Sequence, residues 1–169
     1  TLGATEKVEN GWYYLQNIGV GVNLTASLTS PSTTGMPQQN NDYSQLWYLT
    51  NVNGRYTIKN ALNERYIIGV NGANQNYQTG STQSTFAFNS TGDTYAPSFY
   101  IKDQSGVVMN INAGSKNVLS WYEEDPASKW YLVPAKVDET KLAEKRGNAS
   151  ELKTISSYGS RYNEVLDKF

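Results

Sequence analysis

Three copies of one short pattern constrain this chain more than any other feature. Tyr13-Tyr14-Leu15-Gln16-Asn17, Tyr56-Thr57-Ile58-Lys59-Asn60 and Phe99-Tyr100-Ile101-Lys102-Asp103 stand at two equal offsets of 43 residues. In each, an aromatic residue, an apolar residue two places on, and Asn or Asp two further on fall in register. Alternation at period two marks a half-buried strand, and equal offsets mark an internal repeat. A second triplication closes the units: Gln45-Leu46-Trp47, Ser84-Thr85-Phe86 and Ser128-Lys129-Trp130.

A unit of about 40 residues cannot bury its own apolar face, so three units must complete one core. The repeats fall at about 11–50, 54–92 and 98–134, after a polar lead-in over 1–10. Each opens on a strand: Tyr13–Gln16, Tyr56–Lys59 and Phe99–Lys102. Short apolar steps at Val22–Leu24, Tyr66–Ile68 and Val107–Met109 follow. The Ser/Thr/Pro/Gly-rich span 27–41 and the span 71–82 read as loops, and Asn53-Gly54 as a two-residue hairpin turn. Four short strands per unit, with turn signals every 8–12 residues, predict an all-β chain closed into a small barrel. Leu15, Ile58 and Ile101 should form one core layer, and Trp47, Phe86 and Trp130 another.

Past Pro134 the composition changes. Residues 135–169 carry 13 of the chain's 29 Asp, Glu, Lys and Arg residues. Asp138 is read as the N-cap of a helix over Glu139–Arg146, stopped by Gly147, and Ser150 as the cap of a second helix. Ile155, Tyr158, Tyr162, Val165 and Phe169 then follow a 3-4-3-4 spacing, which makes one apolar seam. This tail is expected either to dock on the barrel or to lead into a further domain.

Composition narrows the chemistry. The chain has no histidine and no cysteine, which removes Ser-His and Cys-His nucleophile pairs, thiolate zinc sites and disulfides. A formal net charge of −1 gives no broad electrostatic footprint for nucleic acid or for anionic membrane. No segment approaches the roughly 18 apolar residues of a membrane helix. Asn-x-Ser/Thr triplets at Asn23, Asn89 and Asn148 carry no weight in so Asn- and Ser-rich a chain. The start at Thr1 fits the removal of an earlier segment, of which a signal peptide is one case.

Three units closing on Gln-x-Trp-like triplets resemble the β-trefoil lectins of the ricin B-chain type over residues 11–134. The motif is intact only as Gln45-Leu46-Trp47. The stretch Tyr14–Thr25 is similar to trefoil modules of large secreted or surface-bound bacterial polysaccharide-handling proteins. The resemblance implies a β-trefoil followed by a C-terminal helical segment, and a secreted, periplasmic or cell-surface location. It implies an accessory module beside further domains of the same polypeptide, with a glycan or polysaccharide as partner, no cofactor and no catalysis.

In that family each sugar site places a carboxylate just after the apolar residue of the second strand. Here Thr25, Ile68 and Asn110 stand at that place, and none is acidic. Ile68 cannot accept a hydrogen bond from a sugar hydroxyl, and Thr25 is a weak substitute. Asn110 keeps an acceptor and is followed by Trp121, Tyr122, Glu123, Glu124 and Asp125. An aromatic face beside polar groups is what a pyranose requires. The candidate site is therefore Asn110, Trp121, Tyr122, Glu124 and Asp125, in the third repeat, with at most one working site in the chain. The alternatives are that Trp121 packs across the barrel mouth or on the tail, that the acidic run is a solvated turn, and that the trefoil is a scaffold or protein-interaction module without sugar binding. The run has no calcium-loop pattern, and a paired-carboxylate hydrolase would need two acids about 5–9.5 Å apart across a cleft.

Overall fold

The computed structural model describes residues 7–93 and 95–155. Twelve strands run in order: β1 Gly11–Asn17, β2 Asn23–Ala26, β3 Thr33–Met36, β4 Leu46–Val52, β5 Arg55–Asn60, β6 Tyr66–Ile67, β7 Thr79–Gly80, β8 Ala87–Ser90, β9 Ser98–Lys102, β10 Val108–Ile111, β11 Val118–Trp121 and β12 Trp130–Pro134. One helix follows, α1 Glu139–Ile155.

Six strands close a ring of antiparallel neighbours. β1 pairs with β12 and β4, β4 with β5, β8 with β9, and β9 with β12. The Tyr56–Phe86 bridge joins β5 to the start of β8 and completes the circuit. The other six strands form three hairpins, β2–β3, β6–β7 and β10–β11. Bridges Ser32–Gln78, Thr34–Asn117 and Asn76–Leu119 link these hairpins to one another. Closure leaves no free edge in the ring. The topology is a β-trefoil, one four-strand unit per repeat.

The threefold pattern of the sequence is the threefold pattern of the core. Leu15, Ile58 and Ile101 are fully buried, as are Trp47, Phe86 and Trp130. A third set, Leu24, Ile67 and Met109, is equally buried. Inward residues alternate with outward ones along each ring strand, as period-two placement requires. The Asn53-Gly54 turn has both central residues at positive φ, 54° and 85°, as expected for a tight hairpin. The span read as loop over 27–41 contains β3, which pairs along its whole length with β2. From Val8 the lead-in joins the core, because the Tyr56 hydroxyl accepts from Val8 N and donates to Val8 O.

The tail docks on the outside of the barrel. Leu142 and Ala149 lie seven residues apart on one helix face and pack with Tyr14, Tyr43, Leu46, Ala61 and Leu62. Arg146 Nε donates to the Ala61 carbonyl at 2.8 Å. Asp138 caps α1 as expected, accepting from the amides of Thr140 and Lys141. Gly147 does not stop the helix: α1 continues to Ile155 as a single element. Glycine costs a helix about 1 kcal/mol relative to alanine, and buried Leu142, Ala149 and Leu152 on either side outweigh it. The seam beyond Ile155 lies outside the described residues.

Candidate functional site

In the third unit, β10 and β11 pair from Val108–Trp121 to Ile111–Val118. Trp121 thereby ends β11, and the chain turns through Tyr122–Asp125 into a 3-10 turn, Pro126–Ser128. Proline at the start of that turn and the Asp125 side chain accepting from Ala127 N at 2.9 Å fix its geometry. Ser128 then ties the two halves together. Its hydroxyl accepts from Asn110 Nδ2 at 2.9 Å and donates to the Tyr122 carbonyl at 2.7 Å.

A cleft of about 280 Å³ opens here, lined by Asn110, Trp121 and Asp125 together with Asn74, Asn112, Ala113 and Ala127 among others. Three of the five candidate residues thus meet around one depression. Tyr122 and Glu124 do not line it. Tyr122 is half exposed, with its ring 5.4 Å from that of Trp121 and tilted by 56°, and Glu124 points to solvent. Glu123 is paired with Lys102.

Trp121 is half-buried and belongs to neither apolar cluster, so it packs neither in the barrel core nor under α1. Asn110 is buried with its amide N–H committed to Ser128; among the described residues no protein donor reaches its Oδ1. The floor of the cleft therefore has an acceptor and its wall an indole. Burial, and then the charges of Glu123 and Glu124, push the neighbouring Tyr100 phenol up from its ordinary value.

The corresponding places in the other units lack this mix. The Thr25 hydroxyl is buried and donates to the Asn23 carbonyl. Ile68 packs against Gly80, where a Cβ would stand 2.3 Å from Ile68 Cδ1. Trp47 and Trp130 are core, and each indole N–H is used internally. Trp12 is half-buried on the helix side, edge-on to Tyr48 at 5.0 Å. Among the described residues no group of three His, Cys, Asp or Glu could hold a metal ion, and no helix is long and apolar enough to cross a membrane.

Sequence reasoning missed Asn74 and Ala127 in the cleft wall and Ser128 behind it. Ser128 carried a signal, since it opens the third closing triplet. Asn74 carried none: it reaches the cleft from the second unit, where its amide donates to the Ser120 carbonyl at 2.7 Å.

No protein-family model and no curated protein sequence matches the chain. Solved structures do resemble it. A ricin B-like lectin of Macrolepiota procera, determined with lactose, superposes with a TM-score of 0.63 at 16% identity, covering 77% of this chain and 100% of that one. An exo-β-1,3-galactanase of Clostridium thermocellum gives 0.63 at 19% identity, over 77% of this chain and 31% of the enzyme. A proteinase inhibitor of Coprinopsis cinerea gives 0.61 at 10% identity, over 76% and 100%. At such identities the likeness is one of fold. Ring closure, hairpin cap and threefold core make this chain a β-trefoil with a helix packed on its side.

Proposed function

We propose that the chain is a non-catalytic carbohydrate-binding module with at most one glycan site, in the third repeat, carried beside other domains of a secreted or surface protein. The observation that supports it is the convergence of Asn110, Trp121 and Asp125 on one open cleft. A partly exposed indole offers its face to the C–H side of a pyranose, while Asn110 Oδ1 and the Asp125 carboxylate accept from hydroxyls. Tyr122, beside Trp121, would extend the aromatic edge, and exposed Glu124, on the turn that follows, would offer an acceptor to a longer saccharide. The lectin determined with lactose shares the fold, as does about a third of the exo-β-1,3-galactanase, and their names make galactosides the first ligands to try.

A second reading is a scaffold or protein-interaction trefoil. It is favoured by the absence of an acid at Thr25, Ile68 and Asn110, and by the proteinase inhibitor of the same fold. A glycan array probed with the folded wild-type chain and with Trp121→Ala separates the two. Signal on a defined set of glycans that disappears in Trp121→Ala supports the module. Silence of the wild type across the array supports the scaffold.

A further inference from the structure

Three Asn-Gly dipeptides occur in the chain, Asn10-Gly11, Asn53-Gly54 and Asn71-Gly72, and all three asparagines are exposed. Asparagine before glycine is prone to close on itself, because no side chain on the glycine hinders its amide nitrogen. That nitrogen attacks the asparagine Cγ, an N–Cγ bond forms, and the side-chain amide leaves as ammonia. Water then opens the cyclic imide at either of its carbonyls. One opening gives aspartate. The other gives isoaspartate, whose main chain runs on through Cβ and Cγ. One water is consumed and one ammonia released, with no change of oxidation state. The reaction needs a glycine N–H free to lose its proton and a backbone free to bring that nitrogen onto Cγ.

The fold withholds these freedoms at two of the three positions. Asn53 and Gly54 form the hairpin turn between β4 and β5, closed by the Val52–Arg55 pair. That turn holds their φ angles at 54° and 85°, and Gly54 N donates to Asn51 Oδ1 at 3.1 Å. Gly11 opens β1 and is paired with Leu49 in the β1–β4 ladder. The Asn10 side chain is held as well, since its Oδ1 accepts from Asn51 N at 2.8 Å.

Asn71-Gly72 has none of these restraints. It lies between β6, which ends at Ile67, and β7, which begins at Thr79. Among the described residues no acceptor takes the Gly72 N–H, and no hydrogen bond holds the Asn71 side chain. Anchors stand on either side of the pair instead. Val70 N donates to Asp103 Oδ2 at 2.7 Å, and the Gly72 carbonyl accepts from Ser120 Oγ at 2.6 Å. Ser120 in turn holds the residues that follow. Its carbonyl accepts from Asn74 N at 2.7 Å, its Oγ accepts from Gln75 N at 3.0 Å, and its N–H is given to the Gln75 carbonyl at 2.9 Å.

We infer that Asn71-Gly72 is a site of spontaneous deamidation in the folded protein, and that its isoaspartyl product releases the clamp between Gly72 and Ser120. An isoaspartyl link lengthens the main chain by one methylene between two anchored residues. One anchor must yield. The Val70 amide is held by a buried carboxylate, in the stronger, charge-assisted kind of hydrogen bond. The Gly72 carbonyl is held by a neutral hydroxyl, and this is the bond that gives way. The modification thus acts on Ser120 and on the segment that carries Asn74, whether or not the chain binds a glycan.

Peptide mass spectrometry of the folded wild-type chain, aged in mildly alkaline buffer, follows the three dipeptides separately, with fragmentation that separates isoaspartate from aspartate. Asn71 should convert at least about tenfold faster than Asn10 or Asn53, a difference of only about 1.4 kcal/mol in barrier. In the chain unfolded by urea the three rates should converge, because the restraints are gone. Gly72→Ala should suppress the conversion and still fold, since its Cβ would meet only the flexible Gln75 Nε2, at 3.4 Å. In amide spectra of the isotope-labelled chain, ageing should shift Asn74, Gln75 and Ser120. Asn71→Asp carries the new charge on an ordinary backbone and should leave those three amides in place. No conversion at Asn71, equal rates in the folded chain, a faster site at Asn10 or Asn53, or an order unchanged by unfolding would overturn the site. Unmoved amides after ageing, or the same shifts in Asn71→Asp, would overturn the release of the clamp.

Discussion

The indole Nε1 of Trp47 donates to the carbonyl oxygen of Leu24 at 2.9 Å, across 23 residues of sequence. Trp130 makes the same bond to Met109 at 2.9 Å, also within the buried core. Leu24 and Met109 occupy matching places in their units, so the closing tryptophan fastens each hairpin to its ring. In unit two the residue is Phe86, which has no N–H to give. Trp47→Phe and Trp130→Phe keep most of the apolar volume and orphan a buried carbonyl. Each is expected to destabilise the fold by about 1–3 kcal/mol, read as a lowered urea midpoint with an unchanged slope.

The docked helix should contribute to global stability rather than fray independently. Leu142 is almost fully buried between α1 and the barrel. Leu142→Ala should cost about 2–5 kcal/mol. Arg146→Ala loses the bond to the Ala61 carbonyl and the 3.3 Å pair with Glu64, which is half exposed and contributes little. Its effect should be clearly smaller than that of Leu142→Ala. Equal effects, or none in either variant, would mean that α1 is detached in solution.

Alkaline pH should weaken the protein through its buried phenols. The Tyr77 hydroxyl is pushed far above its ordinary 10.0, first by burial, then by the Asp103 charge and its hydrogen bond to Asp103. Burial also raises Tyr13 and Tyr14. In the unfolded chain these groups ionise at about pH 10, while the native state holds their protons. The unfolded state then binds fewer protons, and stability falls as pH rises past 10. Tyr77→Phe should flatten that fall while lowering neutral-pH stability by about 1 kcal/mol for the lost hydrogen bond. Urea midpoints at pH 8, 10 and 11 for both chains check the sign.

Gly19 ties the contact between units one and three to the candidate site. A Cβ there would stand 2.6 Å from Ala127 N and 2.7 Å from the Pro126 carbonyl carbon, both backbone atoms that cannot rotate away. Gly19→Ala should therefore displace the Pro126–Ser128 turn, cost about 1–3 kcal/mol, and weaken glycan binding because Ala127 lines the cleft. Gly35→Ala meets side-chain atoms of Val22 at 2.5 Å instead and leaves that turn in place. It serves as the control of similar crowding.

Much of the barrel was legible because its core is written in period two. Leu15, Ile58 and Ile101 fixed the inward face of the ring strands, and Asn53-Gly54 fixed a turn. What stayed hidden was structure stabilised by partners rather than by its own pattern. Thr33–Met36 looks like loop because Thr and Gly dominate it, yet β2 pairs with it along its whole length and the Lys116 carbonyl of the third unit accepts from Gly35 N at 2.9 Å. Gly147 looks like a stop because the buried contacts of Leu142 and Ala149 are not visible in sequence. In the site, Asn110, Trp121 and Asp125 were singled out by the resemblance to the ricin B-type pattern, but Asn74 arrives from another unit.

Trp121 is the residue on which glycan binding in the third repeat depends. A calorimetric titration of the wild-type chain with lactose, and with the strongest ligand from the array, measures it directly against Trp121→Ala. One site per chain in the third repeat is expected, with at least a tenfold loss of affinity in the variant, equivalent to about 1.4 kcal/mol, and an unchanged folding transition. Equal affinity in the two chains would contradict it, as would no heat from the wild type with any ligand tested.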